Sequence, residues 1–377
     1  ITSGLMPTMD ISGQIKVDPR ADIPLVAQLT QQITWLIASE ALREGEKLPA
    51  MRELAQALGI HMHTVRAAYQ RLEADMLVSV RPRIGTVVLP FDPNLIAEAR
   101  PDLPSNLIGV LLPAPVPVYQ PFLAGIQEAA SADRWLPVIC YTGENPLLTG
   151  RTIHQLIARH VDGFIVTSTG LSESLLDTLE LERTPPIVFV DAPQIKHNSI
   201  LANTQGAAFQ ATRHLIEHGH ERIGLISAPL DWENVTPCLH GYQQALAEAG
   251  VAYDPELVVE VPDFDLHSGY QGALEILQID PQPTAVFVIA DRLALGVMQA
   301  LRDSGIEIPG EVALASYNDI EGAGLVQPGL TTSTFPAYEM GLLAMRRLKK
   351  LLSGKPTEDG PVVLDTHLVI RQSCGCP

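Results

Sequence analysis

The chain predicts two folds in succession: a winged helix-turn-helix (α+β) domain, then a two-lobed α/β body built on two parallel sheets. Three observations carry this reading. Residues 48–86 run as a short helix, a glycine turn, a second helix and a basic hairpin. From about residue 106, short apolar runs alternate with amphipathic helical patterns, the mark of parallel strands joined by crossover helices. The alternation then restarts, because Asn106-Leu-Ile-Gly-Val-Leu-Leu-Pro113 is echoed by Arg222-Ile-Gly-Leu-Ile-Ser-Ala-Pro229.

In the head, Leu25, Leu29, Ile33 and Ile37 recur at helical spacing after Pro24. Pro49 suits a first helical turn, where its missing N–H has no partner to lose. Leu54 and Leu58 share one face of that helix, and Gly59 supplies the left-handed turn that ends it. The second helix starts near His63 and carries Val65, Ala68, Tyr69 and Leu72 inward, which leaves Arg66 and Arg71 elsewhere on its surface. Val78 to Arg81 and Thr86 to Leu89 form two strands around Pro82-Arg83-Ile84-Gly85. A helix-turn-helix of this layout places its second helix in the DNA major groove. Double-stranded DNA is therefore an expected partner.

The stretch from Pro24 to Val88 resembles the DNA-binding head of the GntR family of bacterial transcription regulators. Glu46-Lys47-Leu48-Pro49, Arg52-Glu53-Leu54-Ala55, Thr64-Val65-Arg66 and Gly85-Thr86 fall in the family's order. The resemblance implies that Arg52 and Arg66 hold phosphates or base edges, that Thr64 docks the second helix, and that the Gly85 hairpin, flanked by Arg81 and Arg83, touches the minor groove. His61-Met62 stands where a Ser-Arg or Thr-Arg pair is usual, so a helix N-cap and a base-reading arginine are expected to be missing; His61 and His63 remain candidates for DNA contact. Met76 and Arg83 each replace a usual glycine.

The formal charge of −18 belongs to the body alone: residues 1–90 hold nine Lys/Arg and nine Asp/Glu, the remainder 16 and 34. An acidic body repels DNA and leaves the head as the approaching surface. No apolar run reaches the ~20 residues of a membrane span, no secretory leader is evident, and four cysteines do not suggest a disulfide framework. The expected location is the cytoplasm. The expected domains are a leader at 1–23, the head at 24–90, a Pro-rich linker at 91–105 and the body at 106–377. The lobes are expected over 106–191 plus 322–353 and over 192–321 plus 354–373. Pro101 and Pro104 break the linker, which is not expected to read DNA.

Strands are expected at Leu107–Leu112, Leu136–Cys140, Gly163–Val166 and Ile187–Val190, and again at Arg222–Ser227, Leu257–Val261, Ala285–Ile289 and Val312–Ser316. Helices are expected near Tyr119–Ala130, Leu148–Arg159, Ser172–Leu179, Pro237–Ala249, Leu266–Leu277 and Arg292–Asp303. The body resembles the periplasmic-binding-protein-like effector domain of LacI-type repressors. Its marks are Val161-Asp162-Gly163, Gly219-His220-Glu221-Arg222, Gly241-Tyr242, Asp291-Arg292-Leu293, Leu330-Thr331-Thr332 and Arg371-Gln372-Ser373. A GntR-like head on such a body resembles the arabinose-repressor type of regulator.

That resemblance implies a small-molecule effector in the cleft, a sugar or polyol, touching Tyr119, Asp191, Cys238, Asp291 and Asn318. Cys238 stands where an arginine is usual, Ala290 replaces an asparagine and Asn318 an aspartate. The lost guanidinium disfavours an anionic effector. Trp232 offers a stacking face for a sugar ring or packs as a loop aromatic. His214 and His218 lie i,i+4 with no evident acidic or cysteine partner, and read as a helix end. Cys374-Gly-Cys376 reads as an inert tail, so no metal or cofactor is expected. A homodimer is expected, through helices near Gly125 and Tyr338–Leu352.

An enzyme is the weaker reading. An aminotransferase-like body needs an aldimine-forming lysine, and only Lys196, Lys349, Lys350 and Lys355 lie beyond the linker. No nucleophile elbow, metal-ligand cluster or phosphate loop is evident in the sequence. A sugar sensor with weakened DNA specificity is the other alternative.

Overall fold

The computed structural model describes residues 11, 13–19, 24–38, 41–81, 84–91, 105–143, 145–167, 184–357 and 360–376. The expected helix at Ser172–Leu179, nearly all of the linker and Arg83 lie outside these residues. No described helix is long and apolar enough to cross a membrane.

Three helices and a hairpin make the head: α1 (Leu25–Ala38), α2 (Met51–Leu58), α3 (Met62–Ala74), β1 (Val78–Arg81) and β2 (Gly85–Val88). Leu29, Ile33, Leu54, Val65, Ala68 and Leu72 meet in one core. Buried Tyr69 donates its hydroxyl to the Pro49 carbonyl at 2.9 Å, which fastens α3 to the entry of α2. The hairpin is antiparallel, with Val78 opposite Val88 and Arg81 opposite Gly85.

Two expectations change at helix starts. Pro49 precedes the N-cap, Ala50, and does not enter the first turn of α2. The N-cap of α3 is not missing: His61 occupies it, and its Nδ1 accepts the His63 N–H at 3.3 Å. An imidazole nitrogen thus does what a serine or threonine oxygen does elsewhere. Met76 adopts φ 55°, the left-handed region, where the family resemblance placed a glycine.

Among the described residues, the body holds two six-stranded sheets. The first comprises β3 (Leu107–Leu112), β4 (Leu136–Tyr141), β5 (Gly163–Thr167), β6 (Ile187–Val190), β7 (Ser199–Ala202) and β13 (Val362–Leu364). Its order is β13-β7-β6-β5-β3-β4, parallel throughout. Around it lie α4 (Tyr119–Ser131), α5 (Pro146–Ile157) and α10 (Ala337–Leu352), the last packed on α4.

The second sheet takes β8 (Ile223–Ser227), β9 (Val258–Glu260), β10 (Ala285–Val288), β11 (Ala313–Asn318), β12 (Thr331–Thr334) and β14 (Leu368–Val369) in the order β14-β12-β11-β10-β8-β9. Only β14 is antiparallel to its neighbour. Its helices are α6 (Thr204–Glu217), α7 (Thr236–Ala249), α8 (Leu266–Ile276) and α9 (Asp291–Asp303).

The lobe limits differ from those expected. β7 pairs in the first sheet and β12 in the second, and β13 returns to the first. The chain therefore crosses between lobes near 203, 335–336 and 365–367. These short strands carry too few residues for a periodicity to show. The three crossings are hydrogen-bonded to one another: Asn203 N–H donates to the Leu364 carbonyl and Thr334 N–H to the His367 carbonyl, both at 2.8 Å. Crossings of this kind are where a hinge between two lobes can absorb a change of backbone angles.

The motif residues act as pins. Buried Asp162 accepts Ser105 Oγ at 2.9 Å and Asn106 N–H at 2.7 Å, which fixes the start of the body. Arg222 pairs with Asp254 at 3.0 Å. Arg159 places its guanidinium over the Trp35 ring, 5.9 Å from the centroid, where the head meets the first lobe.

Candidate functional site

On the head, α3 buries Val65, Ala68, Tyr69 and Leu72 and leaves His61, His63 and Arg66 exposed, with Thr64 half-buried. The His61 and His63 rings stack at 5.0 Å and 8° between planes. Arg52 on α2, Arg81 on β1 and Gly85 at the start of β2 are exposed as well. The Val80 N–H donates to Glu73 Oε1 at 2.9 Å, which ties the wing to α3. Every described residue that sequence proposed for DNA is solvent-facing or half-buried. None is needed to complete the head's core.

In the body, a cavity of about 210 Å³ opens between the carboxyl ends of the two sheets. That is where open α/β sheets place their ligands. Tyr119 reaches it from the start of α4, Asp191 from the end of β6, Cys238 from α7, and Asn318 from the end of β11. Asp191 and Asn318 both have positive φ, 54° and 122°, so the backbone is turned sharply where each side chain enters the cleft. Asp191 is half-buried beside Cys238 and Tyr317. Its carboxylate accepts no hydrogen bond from the described residues, and loss of water pushes its pKa up to about 7. Burial, followed by the Asp191 charge, pushes the Cys238 thiol up to about 12, so it enters the cleft as a neutral group.

Asp291 corrects the expected site. Its side chain is fully buried and points away from the cavity into the second lobe. It accepts Thr332 Oγ1 at 2.6 Å and the Ile320 N–H at 2.9 Å. As the first residue of α9, Asp291 faces the sheet, and the next residue is rotated about 100° toward the cleft. That next residue, Arg292, lines the cavity. The cleft therefore keeps a guanidinium despite Cys238, supplied from another helix. Asp291 is a positioning residue that holds the segment after Asn318. Arg371 does the same from the other side, through Asp319 Oδ1 and the Leu330 carbonyl, both at 2.7 Å.

Trp232 also differs. It does not line the cavity but packs against Phe264, which does, with centroids 5.7 Å apart. The loop-aromatic alternative describes it better. Sequence reading missed Asn234, Asp263, Phe264, Arg292, Tyr317 and Phe335 in the lining. Arg292 was within reach, because a one-residue step along a known helix start changes the face; Phe264 and Phe335 lie in loops without periodic signal.

A winged-helix head joined to a two-lobed body with a polar cleft between its sheets defines the class: a ligand-responsive transcription regulator. The comparisons agree with that class. Residues 25–88 match the gntR family of bacterial regulatory proteins, and residues 212–374 match the periplasmic binding protein-like domain. The chain is 33% identical over 261 residues to the transcriptional regulator CelR of Thermobifida fusca, covering 67% of this chain and 76% of the relative. It is 28% identical to the ribose operon repressor of Haemophilus influenzae, across 86% of this chain and 98% of that one. A solved complex of the regulator CelR with cellobiose superposes with a TM-score of 0.66, at 26% identity over 86% of this chain and 99% of that chain. The protein belongs to this family of LacI-type transcription regulators and carries a GntR-type winged-helix head in front of the effector body.

Proposed function

We propose that this regulator binds operator DNA as a homodimer in the cytoplasm and is switched by a small neutral sugar or polyol held between its lobes. The observation that carries the effector reading is the cleft itself. A carboxylate at the end of β6 and an amide at the end of β11 line one cavity, one group from each lobe. Asp191 accepts sugar hydroxyls, Asn318 both donates and accepts, and Arg292 donates. Tyr119 and Phe335 supply apolar faces. An anionic effector is disfavoured because Asp191 and Asp263 both border the cavity against a single Arg292 among its lining residues. The cellobiose complex of CelR, and the ribose operon repressor among the relatives, support the same class. Closing the lobes about the hinge moves the paired heads and changes operator affinity.

Calorimetry on the full chain against neutral mono- and disaccharides, and against sugar phosphates, tests the effector. Binding of a neutral sugar, lost in Asp191→Ala and kept in Arg66→Ala, is expected. Tighter binding of a sugar phosphate would overturn the reading. For DNA, Arg66→Ala lowers operator affinity and reduces the salt slope by about one unit if it meets a phosphate, or relaxes one base position by about 1–3 kcal/mol if it reads an edge. An unchanged affinity at fixed salt removes α3 from the interface.

A further inference from the structure

The fold brings four soft ligands together where the sequence showed two separate pairs. We propose that His214, Cys374 and Cys376, whose ligand atoms all lie within 4.8 Å of one another, form a site for a soft divalent cation of the zinc class, which His218 completes as the fourth ligand by a shift of its ring. His214 Nε2 lies 3.2 Å from Cys374 Sγ and 3.7 Å from Cys376 Sγ, and His218 Nε2 lies 3.0 Å from Cys376 Sγ. A tetrahedral ion with bonds of about 2.3 Å to sulfur and about 2.0 Å to nitrogen holds its ligand atoms roughly 3.5 Å apart. The two separations from His214 bracket that value, and His218, now beside Cys376 alone, must turn inward to close the tetrahedron. The ligand set, two imidazoles and two thiols, is the one zinc takes in closed structural sites.

The surroundings suit metal binding as well. The other ring nitrogen of His218, Nδ1, lies 2.8 Å from the His214 carbonyl. A carbonyl can only accept, so Nδ1 carries the proton and Nε2 turns a lone pair toward Cys376. A backbone carbonyl on the far nitrogen is the usual arrangement for a metal-ligating histidine. The Thr331 hydroxyl lies 3.1 Å from Cys374 Sγ and can donate to a thiolate there. Cys374 and His214 are buried, whereas Cys376 is half-buried and His218 exposed, which leaves a path for the ion to enter.

The backbone holds both halves in place without the ion. His214 and His218 sit one turn apart at the end of α6, with His218 as its C-cap. Ser373 fixes the tail: its Oγ accepts the Thr331 N–H at 2.8 Å and donates to the Leu314 carbonyl at 2.7 Å. Gly375 takes φ 94°, a left-handed turn open to glycine, and this folds Cys376 back over the histidines. Binding releases the two thiol protons to solvent. From Thr204, beside the cleft, to His214 is ten residues of helix, about 15 Å. The site is therefore a clip that joins α6 to the tail following β14, apart from the effector cavity.

Cobalt(II) titration of the reduced, chelator-stripped full chain tests this directly, since cobalt reports tetrahedral thiolate ligation by colour. One cobalt per chain is expected, with intense visible bands and a thiolate charge-transfer band that zinc abolishes. His218→Ala changes a surface residue and should keep the fold; it and Cys376→Ser should each weaken binding by about tenfold or more. Cys140→Ser and His61→Ala should bind as the parent does. Zinc should raise the melting temperature of the parent and not of Cys376→Ser. No thiolate band, or the same band in both ligand variants, would overturn the proposal. So would a Cys374–Cys376 disulfide that takes up no cobalt after reduction.

Discussion

Asp191 is the residue at which the cleft's electrostatics are concentrated. It enters on a left-handed backbone, and neither of its oxygens accepts a hydrogen bond from the described residues. In the proposed function, a sugar hydroxyl would replace the water that the walls of the cleft remove. The same desolvation makes stability depend on pH with a definite sign. In the unfolded chain the carboxyl loses its proton near 3.8, whereas in the folded protein it holds that proton until about 7. The folded state binds the proton more tightly, so this group's contribution falls as pH rises from about 4 to about 7 and then levels. Asp191→Asn should abolish that part of the decline and leave the unliganded protein more stable above pH 7. Urea unfolding at pH 5 and pH 8, in parent and variant, measures it. A residual slope is expected from Asp291, which burial raises to about 6. An equal pH dependence in both proteins would mean that Asp191 is well solvated.

The helices flanking each sheet approach through glycines, and this sets how tightly a lobe is built. On α10, a Cβ at Gly341 would lie 2.1 Å from the Phe122 carbonyl oxygen; on α4, one at Gly125 would lie 2.2 Å from that of Tyr338. Both obstacles are backbone, which cannot rotate aside. At a surface position, replacing a helical glycine with alanine gains roughly 0.5–1 kcal/mol. At Gly341 the sign should reverse. Gly341→Ala should cost about 1–3 kcal/mol by forcing α4 and α10 apart, read as a lower urea midpoint. The faces near Gly125 and Gly341 are spent inside the lobe, on each other.

At the scale of the whole molecule, one group of exposed apolar side chains lies on the edge strand β4 and the start of α5. Leu136, Ile139, Tyr141, Leu147 and Leu148 are all exposed there, Leu147 at 78%. β4 is the last strand of its sheet, and such an edge invites pairing or cover. A two-fold dimer through this surface would present two heads to an inverted-repeat operator. Ile139→Asp combined with Leu147→Asp should shift the protein toward monomer in sedimentation at micromolar concentration and weaken operator binding. Sugar binding within one chain should survive. A variant that stays fully dimeric would move the interface elsewhere.

Sequence by itself determined the order of the two folds, nearly every long strand and helix, and four of the side chains lining the cleft, those of Tyr119, Asp191, Cys238 and Asn318. Long periodic segments and glycine turns such as Gly59 carry those signals locally. Met76 and His61 were legible as departures, although only the structure showed His61 acting as a cap. Tertiary structure decided what depends on a side chain's direction or on distant pairing. Asp291 and Arg292 are neighbours in sequence, yet α9 buries one against β12 and turns the other into the cleft. The crossing strands β7, β12 and β13 are too short to announce their sheet and are assigned by the hydrogen bonds they find. The cysteines at 374 and 376 lie more than 150 residues from His214 and His218, with separations of 160, 162 and 158 for the pairs in contact. No local pattern links such positions. They meet because Ser373 fastens the tail to β11 and β12, beside the end of α6.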